Sequence, residues 1–446
     1  MLKEDVCEGG NLATCYDDGD ATANLPCGVI PDVIPHLCKF LGIEDIKVCR
    51  LVCKSWNYGA TPVLRARAVI QITLYSKIYE NFASRQEVEG RWVEMCERLK
   101  FCPIKIRLCN PYRYSITSIP PIDLETFPPV KKLKYIRTDL RNGKDWQTEQ
   151  WQTDLCHKII LDSSTTLEKL WFIWDSDEDF PSFGGYTFAK LKKLRIFDRQ
   201  GCRNQSRERI GQALTEAFPG LESLHMKGKN LYEISKMNIL PKFPLSLTSL
   251  WLTGYFNTNG MECLLQIPAP LKKLVFHLIS LEGNDDRVDE LDTIFYKLLH
   301  KHSPSLEKLS VDIRWTLFRA DLEWKVPTFP ALKSLKILGS DLFENLEFEV
   351  GPGSGNFGRI DYKACFPVLE KLHVSNRLDD FSSVAAFLPE DRSAVVESVK
   401  DVNLNFLGDR FTNVDILAQT ELYTRLLDIF PNARDSIGIL SRKLEN

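Results

Sequence analysis

LEKLWF, residues 167–172, sets an apolar–x–x–apolar–x–apolar pattern that returns through most of the chain. The same positions are filled by LKKLRI from Leu191, LESLHM from Leu221, LTSLWL from Leu247 and LKKLVF from Leu271. LEKLSV from Leu306, LKSLKI from Leu332 and LEKLHV from Leu369 continue the series. VKKLKY from Val130 and VKDVNL from Val399 are weaker copies. A single copy means little in a chain rich in Leu and Lys. Ten copies, about 24 to 37 residues apart and roughly 30 on average, are a repeat. One such unit cannot bury its own apolar face, so it must stack on the next.

The flanks show what each unit contains. Phe218-Pro219, Phe329-Pro330 and Phe366-Pro367 precede copies of the motif, and proline there stops a helix and releases the chain into a strand. Before the break the spacing turns helical. Leu291, Ile294, Phe295, Leu298 and Leu299 share one helical face, as do Ile210, Ala213, Leu214, Ala217 and Phe218. Short strands alternating with helices predict parallel strands joined by right-handed crossovers. The expected fold class is α/β: a short all-helical block, then a curved leucine-rich-repeat solenoid over residues 68–446. Its parallel strands are expected on the concave face and its helices on the convex face.

Composition bounds the function. The 446 residues suffice for a large core, and the formal charge of −3 argues against general binding to nucleic acid or an anionic membrane. No apolar run reaches the length of a membrane span. Glu4, Asp5 and Glu8 stand where a secretory signal would need positive charge, so a cytoplasmic or nuclear location is expected. The 13 cysteines are scattered and contain no CxxC pair, which favours free buried thiols over disulfides. His300 and His302 have no nearby cysteine, so neither a metal site nor a cofactor is expected.

Residues 1–28 are small, polar and acidic, the composition of a disordered tail. A helical block is expected over 29–67, with Asp32 capping a first helix, Pro35 in its first turn and Gly42 ending it. The next segment, GIEDIKVCRLVCKSW at 42–56, is apolar on nearly every side. Ile46, Cys49, Cys53 and Trp56 fall on one helical stripe, and Val48, Leu51 and Val52 widen it. So short a segment must bury against several neighbours or present a face to a partner.

Other motifs have plainer readings. GPGSGNFG at 351–358 lacks the Gly-Lys-Ser/Thr ending of a nucleotide loop and reads as a flexible insertion. Asp175, Asp177, Glu178 and Asp179 form an acidic loop after a strand, either solvated or recognising a basic partner; they lack the spacing of a calcium loop. Lys131, Lys132, Lys134, Lys192 and Lys193 occupy outward strand positions and read as solvated. Trp171, Trp174, Trp251 and Trp315 lie in or just after repeat strands, where they either pack in the core or face a partner. No Gly-x-Ser-x-Gly elbow or local cysteine signature is present, and seven dispersed histidines name no triad, so no catalytic residue is assigned.

The block VIPDVIPHLCKFLGIEDIKVCRLVCKSWN, Val29 to Asn57, resembles the F-box, and its closing LVCKSWN is the most specific part. With the repeats behind it, the architecture resembles that of leucine-rich-repeat F-box proteins. The resemblance implies a non-catalytic substrate receptor of a Skp–cullin–F-box ubiquitin ligase. Pro31, Val33, Leu37, Leu41, Ile43, Ile46, Leu51, Val52 and Trp56 would then bind a Skp-type adaptor, and through it a cullin. Leu41, Ile46 and Leu51 are the expected contacts, while Cys53 and Trp56 hold the small domain together. The repeats would hold an unknown protein substrate, raising its effective concentration near a ubiquitin-charged enzyme. Two alternatives stay open: a non-degradative repeat scaffold with a vestigial F-box, and an enzyme on a repeat scaffold.

Overall fold

A computed structural model of the chain describes residues 30–73, 104–110, 130, 132–140, 150–174, 183–198, 210–214, 216–227, 243–256, 258–281, 290–313, 324–338, 346–351, 353–376, 386–391, 393–406 and 413–437. The chain divides between Ala68 and Val69 into two units.

Among the described residues of the first unit are three helices, α1 (Ile30–Leu37), α2 (Ile43–Cys49) and α3 (Lys54–Arg67). Because α1 begins at Ile30, Pro35 sits inside it and Asp32 lies in its first turn rather than capping it. There the Asp32 charge still favours the N-terminal end of the helix dipole. Gly42 does not end α1: the chain leaves that helix after Leu37, and Gly42 stands before α2, its N–H donating to the Asp45 carboxylate at 3.1 Å. The stripe expected to run unbroken from Ile46 to Trp56 is interrupted. The chain turns at 50–53, with Leu51 N–H donating to Val48 O at 2.9 Å, and α3 starts afresh. The break lets Ile46 from α2 meet Ala60 and Leu64 from α3 and Ile34 and Cys38 from α1 in one small core. The Arg67 guanidinium donates to the carbonyls of Cys38 and Leu41, satisfying groups left over at the end of α1.

The second unit is α/β, built on a 12-stranded sheet. Its strands are β1 (Ile70–Thr73), β2 (Lys105–Asn110), β3 (Tyr135–Leu140), β4 (Lys169–Trp174), β5 (Lys193–Asp198) and β6 (Ser223–Lys227). They continue with β7 (Ser249–Phe256), β8 (Lys273–Leu281), β9 (Lys308–Ile313), β11 (Ser334–Leu338), β14 (Lys371–Asn376) and β15 (Asp401–Phe406). Every neighbouring pair is parallel and the order in space follows the order in sequence. The remaining strands, β10 (Trp324–Val326), β12 (Leu346–Glu349) and β13 (Phe357–Gly358), form a separate small sheet.

The repeat fixes the register. Nine of the ten motif copies align position for position, so that Lys169, Lys193, Ser223, Ser249 and Lys273 stand on one rung. The exception is VKKLKY. Tyr135 pairs with Lys169, so the working motif there is Leu133–Thr138 and the expected copy was three residues early. Val130, Leu133 and Ile136 are all buried, and apolar residues at steps of three fit the pattern in either frame. Strands β1 and β2 escaped the sequence pattern because neither is preceded by the motif's opening leucine.

Period-two alternation explains the core. In β4, Leu170 and Phe172 point inward, and Leu167 before the strand is fully buried. The same three positions stack across the repeats with helix residues from the crossovers. Helix Leu291–His302 buries Leu291, Ile294, Phe295, Leu298 and Leu299, the face its spacing predicts. The phenylalanines of the Phe-Pro breaks are fully buried too, with Phe329 stacked on Phe366 at 6.0 Å. Hydroxyls just ahead of the motif join each repeat to the one before. Thr166 donates to Leu133 O at 2.8 Å, Ser246 to Leu221 O at 2.9 Å and Ser305 to Leu271 O at 2.9 Å. Where that position is Gly220, a Cβ would lie 2.8 Å from Ala189 O, so backbones approach directly instead.

The glycine-rich segment expected to be a flexible insertion is the connection between β12 and β13. Val350 N–H donates to Asn356 O at 2.8 Å, while Gly351, Gly353 and Gly355 adopt positive φ, which only glycine does without strain.

Candidate functional site

Two surfaces stand out, one on each unit. On the helical unit, apolar side chains face solvent in unusual density for so small a body. Leu51 is 85% exposed, Phe40 89%, Val52 64% and Val48 63%, and Val33, Leu37 and Ile43 are also exposed. Leu41 and Trp56 are half-buried against the small core. Two sequence assignments are corrected. Ile46 is fully buried, so it holds the core rather than presenting a surface. Cys53, expected to hold the domain together, is exposed in the turn before α3. Ile46 is buried because α1 and α3 both pack on it, and Cys53 is exposed because the helix break turns the residues after Arg50 away from the stripe that Ile46 begins.

On the second unit, the sheet face opposite the core carries two contrasting rows. The row just before the strands reads Lys134, Glu168, Lys192, Glu222, Thr248, Lys272, Glu307, Lys333, Glu370 and Lys400, charges of alternating sign. Lys134 pairs with Glu168 at 2.7 Å, Lys192 with Glu222 at 2.7 Å and Lys272 with Glu307 at 3.6 Å. The Lys134 hydrogen bond and charge hold the Glu168 carboxyl below its ordinary range. Lys333 also reaches Glu307, at 3.7 Å, so opposite charges interleave along this row.

The row at the motif's fifth position differs in kind. Across the rungs it reads Arg107, Arg137, Trp171, Arg195, His225 and Trp251, with no acid. The Trp171 ring lies between two guanidiniums, 3.9 Å from Arg137 and 4.7 Å from Arg195. His225 stacks on Trp251 at 4.7 Å, and Lys273 stands 5.4 Å from the Trp251 ring. The indole nitrogens of Trp171 and Trp251 and both ring nitrogens of His225 are buried with no hydrogen-bond partner among the described residues. Burial, then the charges of Arg195, His277 and Lys273, push the His225 pKa down to about 3, so its ring is neutral at physiological pH. Lys273 is likewise held below its ordinary range by burial and by Lys308, Arg195 and Lys193. At the row's edge, His277 Nδ1 meets the buried Asp312 carboxylate at 3.0 Å.

Trp171 and Trp251, singled out from the sequence, are thus brought onto one surface three strands apart. The side chains of Pro31 and Trp174, and residues Asp175, Asp177, Glu178, Asp179 and Trp315 entirely, lie outside the described residues. Sequence reading missed Arg137, Arg195, His225 and Lys273. Reading down the fifth column of the aligned motifs finds Arg195 and His225, but the frame error at Val130 puts Lys134 where Arg137 belongs.

Among the described residues no group of His, Cys, Asp and Glu is arranged to hold a metal ion, and no helix is long and apolar enough to cross a membrane. Compared with known proteins, the chain matches no family model, and no curated protein matches it.

Proposed function

We propose that this chain is the substrate-recognition subunit of a Skp–cullin–F-box ubiquitin ligase: a small helical adaptor-docking module followed by a leucine-rich-repeat solenoid that holds a target protein. The observation that carries the reading is the apolar surface of the helical unit. Leu51, Val52 and Val48 are largely exposed although the unit's own core is already closed beneath them. Exposed apolar area of this density marks a surface made for a partner, and the residues that form it belong to the segment resembling the F-box. The repeat sheet supports the second half of the reading, since parallel strands following one another in sequence order are the arrangement of stacked repeats, which offer extended recognition surfaces. Such a receptor makes and breaks no bonds. It acts by holding substrate lysines near the ubiquitin-charged enzyme.

The test is co-purification with a Skp-type adaptor and a cullin. Replacing Leu37, Leu51 and Val52 with Asp is expected to abolish adaptor capture while leaving both units folded by circular dichroism, because all three are exposed. A folded triple variant that still captures the adaptor sinks the reading. Adaptor capture without a cullin favours the non-degradative scaffold.

A further inference from the structure

Lys273 differs from the other lysines of the sheet in its surroundings. It opens β8 half-buried, its ammonium 5.4 Å from the Trp251 ring, and the Arg195 guanidinium reaches the same ring at 5.9 Å from β5. Lys308 stands beside it on the neighbouring strand β9. On the other side its rung runs through Ser249 and Ser223 to Lys193. Three cations therefore flank one amine, and the residues between Lys273 and Lys193 are uncharged.

The nearby acids are committed elsewhere. Glu222 pairs with Lys192, and Glu307 lies between Lys272 and Lys333 at 3.6 and 3.7 Å. Asp312, further along β9, meets His277. No carboxylate pairs with Lys273 among the described residues. The Trp251 ring face attracts an ammonium, but burial and the charges of Lys308, Arg195 and Lys193 prevail and hold Lys273 below its ordinary range. Lys193 and Lys308 are exposed and lack that burial. A protonated amine has no lone pair to donate, so reactivity follows the neutral fraction. A neighbouring cationic group is one of the ways a lysine becomes a nucleophile.

We infer that Lys273 is a site of acylation, its amine attacking the carbonyl carbon of an acyl thioester. The N–C bond forms as the C–S bond breaks. The sulfur leaves with the bonding pair and takes up the proton that the nitrogen loses, so the products are an amide and a free thiol. The amide carries no charge, so acylation removes one cation from the cluster and relieves its repulsion. This goes beyond the proposed receptor role and needs neither adaptor nor cullin.

The experiment incubates the purified full chain with excess S-acetyl-N-acetylcysteamine near neutral pH. Initial rates of amide formation at each lysine are read by peptide mass spectrometry. Lys273 is expected to react about threefold or more faster than Lys193 and Lys308, although both are more exposed. In concentrated urea the advantage disappears. As pH rises, the Lys273 rate levels off before that of Lys308. R195Q and K308Q each slow Lys273 by about twofold or more, because either change lets its amine hold the proton better. K39Q, the same charge change on the other unit, leaves the rate unaltered. Lys273 reacting no faster than Lys308 in the folded chain, an equal advantage in urea, or a Lys273 rate unmoved in both folded R195Q and folded K308Q overturns the inference.

Discussion

The two units solve the burial problem in opposite ways. The repeat unit supplies its own partners: each strand's Leu-x-Leu pair and opening leucine stack on those of the neighbours, and one continuous core runs through the described residues from Ile106 to Ile437. Among its described residues, the helical unit has Ile34, Cys38, Ile46, Ala60 and Leu64 as its hydrophobic core, and leaves Phe40, Leu51, Val48 and Val52 in solvent. The contrast teaches that apolar content alone does not locate a core. A repeat can add rungs until its interior closes, whereas a small helical unit buries a smaller share of its surface and keeps apolar groups outside.

The sharpest way to break this comparison is to cut one residue from each core. Leu250→Ala, from the fully buried centre of β7, is expected to cost about 2–5 kcal/mol of unfolding free energy in chemical denaturation. Ile46→Ala should destabilise by a similar amount, but its loss should appear in the helical unit alone, read by hydrogen exchange of α2 and α3. Simultaneous loss of protection in both units would show that they do not fold separately.

A smaller effect separates the units by pH. His302 ends its helix in the repeat core, accepts Leu271 N–H at 3.4 Å, and is pushed down to about 4 by burial and Lys301. With an unfolded value near 6.5, the unfolded chain binds more protons between the two, so stability falls as pH drops through that window. Unfolding free energy of the repeat unit should fall by roughly 2 kcal/mol from pH 7.5 to 5 through this group alone. His302→Gln should flatten the slope, leaving the part due to His225. An unchanged slope in His302→Gln would assign the pH response elsewhere.

The smallest expected effect is the most telling for the helical unit. Leu51→Ser should shift its stability by no more than about 0.5 kcal/mol, because the side chain is 85% exposed. A loss above 2 kcal/mol in thermal melts would mean that Leu51 is part of the core and not of a docking surface.

Much of this architecture was legible in one dimension. The six-residue motif gave strand positions and inward residues wherever leucine opened it, and the helical spacing from Leu291 to Leu299 gave a helix that the structure contains. It failed where apolar residues recur at steps of three, as at Val130, Leu133 and Ile136, since such a run fits two frames. It failed again between Cys49 and Lys54, where apolar residues continue without a glycine or proline to announce the turn that ends α2.

The sequence by itself determined the repeat, the α/β class and which residues of each motif face inward, because burial periodicity is a local property of strands and helices. Only the tertiary structure decided which outward residues become neighbours. Arg137, Trp171, Arg195, His225 and Trp251 are about 24 to 34 residues apart in sequence and one rung apart in the sheet. Their grouping depends on register, and register is settled by stacking across repeats rather than by any residue alone.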